Sequence, residues 1–178
     1  MRHLVWEKLK VSSVLQGQAV PRELAQLVFK KMANLRDKKF TYNTVVKWQD
    51  GKKGTASSSG KPDIQVATPP EFRGHPGMWS PEDLFVVSVN SCIMTTFLHF
   101  VEKEKIELVS YEGEAEGTLE RTEGKFMFSL IRISLKICVK AGTNIDRVRE
   151  IVSLSEKGCL ISNSIKSKVE VIPNIEGV

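Results

Sequence analysis

The segment 84–101 constrains the fold of this 178-residue chain more than any other stretch. A helix N-terminus precedes it, since Ser80 can cap, Pro81 suits the first helical position and Asp83 completes a capping box. The apolar residues after this start cover nearly every face of a helix: Leu84, Phe85, Val86, Val87, Val89, Ile93, Met94, Phe97, Leu98, Phe100 and Val101. Such a helix is buried all round. Interspersed serine, asparagine, threonine and histidine residues argue against a membrane span.

The residues before this helix predict a β-meander. KFTYNTVVKW (39–48) is rich in β-branched and aromatic residues, as strands are. Asp50-Gly51 is a hairpin signal, and GTASSSG and DIQVAT are candidate short strands. These thin, polar strands need a covering layer to be stable.

The residues after the helix predict a β-hairpin, a helix and a last strand. Strands over 107–120 and 126–140 meet at the turn Thr122-Glu123-Gly124. Asn144 caps the next helix, Gly158 is placed as its C′ stop, and KVEVIPN is the last strand. The order of elements indicates an α+β domain over 39–178.

Positive charge is concentrated in a basic N-terminal extension, residues 1–38, which we expect to be helical over 21–35. Residues 1–39 carry nine basic and three acidic side chains, whereas the whole chain has a net charge of +5. The rest is thus close to neutral. No aromatic residues are interleaved as in an RNA-binding pattern, so we interpret the charge as a solvated helix face rather than a nucleic-acid site.

Three cysteines are too few for a disulfide scaffold, and the N-terminus lacks a signal-peptide core. We therefore expect a cytoplasmic protein without a membrane partner. Cys92 and Cys159 are either small core hydrophobes or reactive thiols, and Cys138 lies on a strand as a structural residue or a bystander. Neither a CxxC nor a Cys/His cluster is present, which predicts no metal and no cofactor.

The histidines do not support a cysteine hydrolase. His99 follows Cys92 by about two helical turns, roughly 10 Å, which is too far for a direct hydrogen bond. His75 lies in a Pro/Gly loop, and His3 lies in the extension. Glu82 favours the first helical turn because of the helix dipole, and it lies roughly 15 Å along the helix from Cys92. A site containing both needs another segment or another subunit between them.

Two motifs resemble the OsmC/Ohr family (osmotically inducible protein C and organic hydroperoxide resistance proteins). WSPEDLFVVSVNSCIMTTF has Pro-Glu-x-Leu followed by a cysteine ten residues after the glutamate, and EKGCLISNSI contains Cys159 before an aliphatic pair. The resemblance covers about residues 40–175. It implies an OsmC-like fold in an intertwined homodimer, with the N-terminal strands of both subunits in one sheet around the two central helices.

The resemblance also implies a thiol peroxidase that reduces organic hydroperoxides. Cys92 would attack the peroxide and form a sulfenic acid, and Cys159 would resolve it as a disulfide. An external dithiol, of lipoyl or similar type, would then reduce the disulfide. Glu82 matches the glutamate that holds an activating arginine in this family. Four bulky apolar side chains could either line an alkyl-peroxide pocket or belong to the core: Trp79, Phe72, Met94 and Phe97.

The activating arginine is where the sequence departs from the family pattern. The hairpin tip has only Lys52 and Lys53, and the loop before Pro-Glu has Arg73 without a clean match in spacing. A lysine supplies charge but not the planar fork of a guanidinium. The alternative is therefore a weak or inactive OsmC-fold protein that binds a small apolar or thiol ligand.

Overall fold

The computed structural model describes residues 39–178, and residues 44–178 form one compact unit. The predicted extension over 1–38, with its helix over 21–35, lies outside the described residues. The element order confirms the α+β class, with two three-stranded sheets and two α-helices among the described residues.

The N-terminal meander is an antiparallel sheet of β1 (Val45–Asp50), β2 (Lys53–Ser57) and β3 (Ile64–Ala67) in that order. The first strand is shorter than expected, since 39–44 is not strand. Strand pairing explains this, because Val45 pairs with Ser57 and β2 ends there. All of β1 is exposed, including Val45, Val46 and Trp48.

The central helix, α1, runs over Pro81–Glu104 and begins as the sequence predicts. The Ser80 Oγ accepts the Asp83 N–H at 3.0 Å, and the Ser80 N–H donates to Asp83 Oδ2 at 2.9 Å. Pro81 occupies the first turn, where its missing N–H costs nothing. This capping box fixes the helix start next to the loop that precedes it.

The expectation that α1 is buried all round is wrong for a single chain. One stripe is buried, made of Val89, Ile93, Phe97 and Val101. The opposite surface remains open, and Val87 and Leu98 are 39% and 38% exposed. By length and composition alone α1 could also cross a membrane, with a mean hydropathy of 1.8 over 18 residues, of which 22% are buried. One described chain thus covers only one side of its most apolar helix.

The second sheet supplies the surface on which the buried stripe packs. Strands β4 (Leu108–Thr122) and β5 (Lys125–Val139) form the predicted hairpin, and β6 (Lys168–Gly177) runs parallel to β5. Glu123 and Gly124 both have positive φ, as a two-residue hairpin turn needs. The inward residues of β5 are almost fully buried: Ile131, Ile133, Leu135, Ile137 and Val139.

Helix α2 (Ile145–Gly158) packs beside α1 and ends immediately before Cys159. Asn144 Oδ1 accepts the Arg147 N–H at 3.1 Å, as expected for its cap. Gly158 is not the predicted left-handed stop, since it is the last helical residue and its φ is not positive. A Cβ there would lie 3.4 Å from Thr96 Cγ2 of α1, which is an ordinary van der Waals distance. A short 3₁₀ turn, Ser162–Ser164, follows.

Two glycines of β4 bring that strand against α1. A Cβ on Gly113 would lie 2.6 Å from Asn90 Oδ1, and one on Gly117 would lie 2.5 Å from Val86 Cγ2. The Asn90 Nδ2 donates to the Gly113 carbonyl at 2.7 Å, which links helix and strand directly. A larger residue at Gly117 would collide with Val86 and the Phe128 ring, and one at Gly113 would force the Asn90 side chain to move.

Substituting Gly117→Ala tests this contact. We expect the free energy of unfolding to fall by about 1–3 kcal/mol, because Val86 and Phe128 leave no space for a methyl group. Denaturant unfolding measures the change. Gly177→Ala is the matched control, since its Cβ would have only an ordinary contact at 3.9 Å. Equal stability of Gly117→Ala and the wild type would contradict the close packing.

Candidate active site

The fold brings Cys92 and Cys159 together, although 67 residues separate them in sequence. Cys92 lies midway along α1, and Cys159 directly follows α2, which packs on α1. The two side chains are hydrogen bonded, and both are free thiols. Cys159 is fully buried, whereas Cys92 is partly exposed. The pair therefore has one accessible and one enclosed sulfur.

The surroundings shift the pKa of the two thiols in opposite directions. Burial raises the pKa of Cys92, but hydrogen bonds from the Cys159 thiol and from nearby N–H groups outweigh it, so the pKa is lowered. Burial raises the pKa of Cys159, as does its hydrogen bond to Cys92. The Ser162 N–H, 3.3 Å from Cys159 Sγ, does not offset these effects. Cys92 is therefore the better nucleophile, and Cys159 retains its proton.

Backbone amides contribute to the stabilisation of the Cys92 thiolate. The backbone amides of Ile161 and Leu160 lower the pKa of Cys92, as does the Thr96 side chain, whose hydroxyl donates to the Cys92 carbonyl oxygen at 2.8 Å. Sequence reasoning did not find the role of the two amides, because every residue except proline has an N–H group. The only signal was the LISNSI run after Cys159. Successive N–H groups that point to one place form an anion-binding concavity.

Glu82 lies apart from the two cysteines within one chain. It is in the first turn of α1, ten residues before Cys92, which is roughly 15 Å of helix rise. Its side chain lines a cleft of about 990 Å³, and neither Cys92 nor Cys159 lines this cleft. Glu82 Oε2 is buried and has no hydrogen-bond partner among residues 39–178.

Three basic side chains are candidates for activating the thiol, namely Arg73, Lys52 and Lys53. In the described chain none of them reaches Cys92 or Glu82. Arg73 ends the 3₁₀ turn Pro70–Phe72 in a left-handed conformation, with φ 57°, and does not line the cleft. Lys52 Nζ donates to the Phe72 carbonyl at 2.8 Å. Lys53 pairs with Asp50 at 2.9 Å.

The four candidate pocket residues divide into three groups. Phe72 and Trp79 line the cleft beside Glu82. Met94 borders a separate cavity of about 210 Å³. Phe97 is fully buried in the core, so of its two possible roles, pocket or core, the structure supports the core. The helix turns Phe97 towards the sheet with Ile93, and no substrate surface remains on it.

The other candidate groups contribute nothing to this arrangement. Cys138 lies on β5 opposite Ser110, and the ring of His99 packs on Phe100 at 5.5 Å. The described residues contain no cluster of side chains suited to a metal ion. His3 lies outside the described residues.

Comparison with known proteins agrees with this fold and motif arrangement. The model of the family of OsmC-like proteins matches residues 74–174, and the chain belongs to this family. The matched region contains α1 with Glu82 and Cys92, and also Cys159.

Individual relatives are distant in sequence but similar in fold. An OsmC-like protein of unknown function from Vibrio cholerae O1 biovar eltor superposes with a TM-score of 0.69 at 20% identity, over 77% of this chain and 99% of that one. The organic hydroperoxide resistance protein OsmC from Legionella pneumophila gives 0.58 at 26% identity, over 79% and 100%. The uncharacterized protein YmaD from Bacillus subtilis (strain 168) is 23% identical over 116 residues, 64% of this chain and 77% of YmaD.

Replacing Cys159 with alanine tests the thiol–thiol hydrogen bond. Its loss should raise the pKa of Cys92, and alkylation of Cys92 by iodoacetamide at pH 7 should slow by about 3- to 10-fold. Peptide mass spectrometry across a pH series measures the rate at each cysteine. Cys138→Ala should leave the Cys92 profile unchanged. Faster labelling of Cys159 than of Cys92 in the wild type would contradict the assignment.

Proposed function

We propose that this protein is a thiol-dependent peroxidase that reduces organic hydroperoxides. The observation that carries the proposal is the Cys92–Cys159 pair, in which the accessible thiol has the lowered pKa and the buried thiol the raised one. A two-cysteine peroxidase needs two thiols that differ in this way. One sulfur must attack the peroxide as a thiolate, and the other must react only after the sulfenic acid has formed. The Legionella neighbour, an organic hydroperoxide resistance protein, supports the same reaction class.

The reaction proceeds in two steps on the protein. The Cys92 thiolate attacks one peroxide oxygen, the O–O bond breaks, and the alkoxide leaves and takes a proton from water to give an alcohol. Cys92 is then a sulfenic acid. Cys159 condenses with it, which forms the S–S bond and releases water. An external dithiol restores both thiols by thiol–disulfide exchange and is itself oxidised to a disulfide.

The assembly that we propose is an intertwined homodimer. A second copy would cover the open side of α1, where Val87 and Leu98 are exposed. It would also cover β1, all of whose residues are exposed in one chain. Burying apolar area of this kind is the main driving force for association. The dimer would bring Glu82 of one chain towards Cys92 of the other, which a single chain keeps roughly 15 Å apart along the helix.

The cleft beside Glu82 supports an apolar peroxide as substrate. Phe72, Trp79 and Phe128 line it, together with Val86 of α1. These apolar side chains give an alkyl or aryl group a contact surface that the small, polar hydrogen peroxide molecule does not use. In the proposed dimer, this cleft would hold the organic group while the peroxide oxygens meet Cys92.

One observation favours the alternative function, which is ligand binding without catalysis. No arginine lines the cleft in the described chain, because Arg73 lies outside it. A protein of this fold that has lost catalysis would keep the cleft and bind a small apolar or thiol ligand without turnover.

Steady-state kinetics distinguish the two functions. With dithiothreitol or dihydrolipoamide as reductant, we expect faster consumption of cumene or tert-butyl hydroperoxide than of hydrogen peroxide. Cys92→Ser should abolish turnover, because serine is not nucleophilic at neutral pH. Cys159→Ser should still form the Cys92 sulfenic acid, which a dimedone probe detects, but should not form the disulfide.

Cys138→Ser is the control and should turn over like the wild type. Absence of turnover with a Cys92 that does not react with peroxide would refute the peroxidase and favour the binding protein. Slow oxidation of all three cysteines at similar rates would do the same.

A further inference from the structure

One carboxylate oxygen of Glu82 has no hydrogen-bond partner in the described part of the chain. Glu82 Oε2 is buried, and no residue of 39–178 donates a hydrogen bond to it. Leaving a buried acceptor unsatisfied is costly, more so for a carboxylate than for a neutral group. We therefore expect Glu82 Oε2 to accept a hydrogen bond from some donor once the site is assembled.

Among the described residues that line this cleft, His75 is the one basic side chain. Four carboxyl groups share the cleft with it: Glu71, Glu82, Asp83 and Glu116. Asp83 is committed to Ser80 through the capping box. The other three have no such partner in the cleft, and of these only Glu82 has a buried oxygen without a partner.

The loop holds His75 at this place through its backbone. The His75 N–H donates to the Thr68 carbonyl at 2.9 Å, at the end of β3. Gly74 makes this possible, since a Cβ there would lie 1.6 Å from the same carbonyl oxygen. The imidazole Nε2 lies 3.7 Å from the place of a Cβ on Gly51, at the hairpin tip. The side chain is therefore set between the hairpin tip and the cleft.

We propose that His75 is the positioning residue that donates a hydrogen bond to Glu82 in the assembled site. The inference rests on the proposed peroxidase function for its consequence, and on the shared cleft lining and the unpartnered Glu82 oxygen for the pairing. The imidazole offers one N–H in a given direction, so it holds the carboxylate at a single point. Through Glu82, it would orient the acidic group that faces the reacting sulfur.

Nuclear magnetic resonance of the full-length protein tests the pairing without any turnover. We expect the imidazole ¹⁵N signals of His75 to shift on Glu82→Gln and to stay in place on Glu71→Gln, a change at another carboxylate of the same cleft. An unchanged His75 spectrum in Glu82→Gln would overturn the proposal. So would a larger response to Glu71→Gln, which would assign His75 to Glu71.

Kinetics then test the consequence. His75→Ala and Glu82→Gln should each lower kcat/KM for cumene hydroperoxide by about 10- to 100-fold, and the double variant should be no worse than either single one. His75→Arg, which keeps a donor, should recover most of the loss. His99→Ala, a histidine packed on Phe100, should match the wild type.

The results separate the two proposals. A wild type without Cys92-dependent turnover refutes the peroxidase, while the spectra still decide the pairing. Full activity in His75→Ala, or a loss confined to Arg73→Ala, overturns the role of His75 and leaves the peroxidase intact.

Discussion

The apolar surface of α1 is the constraint on which the rest of the structure depends. A helix with apolar residues on nearly every side needs cover on every side. The β4–β5–β6 sheet covers one stripe, and glycines at 113 and 117 let the strand come close enough to do so. The other side stays open in one chain, as does the whole of β1. We propose that a second copy of the chain covers this apolar surface.

The same helix distributes the candidate chemistry. Its middle carries Cys92, where Cys159 and the amides of Leu160 and Ile161 lower the pKa of the thiol. Its first turn carries Glu82, which lies in a separate cleft within the chain. Within one chain, these two halves of the candidate site, the cysteine pair and the Glu82 cleft, are separate, and neither has all the groups that the proposed peroxidase needs. Association of two copies would join the halves, and the fold would then complete its core and its active site in one step.

The sequence predicted those features that depend on neighbouring residues. The capping box at Ser80, the alternation along β5 and the hairpin turn at Gly124 are local patterns, and the structure confirms them. Features that depend on distant residues were missed or misread. Gly158 is the last residue of its helix rather than a left-handed stop, and only the structure decides that Phe97 belongs to the core rather than to a pocket. The two cysteine motifs indicated the family, but the hydrogen bond between their thiols and its effect on each pKa required the packing of α2 on α1.

Complementation between two inactive variants tests the central claim most directly. Cys92→Ser and Glu82→Gln chains, co-expressed with different tags, would be purified as heterodimers through both tags. If each site takes its cysteines from one chain and its glutamate from the other, a heterodimer has one intact site and about half of the wild-type activity, while both homodimers stay impaired. A heterodimer as inactive as the Cys92→Ser homodimer would contradict the shared site. A Glu82→Gln homodimer with full activity would exclude Glu82 from the reaction altogether.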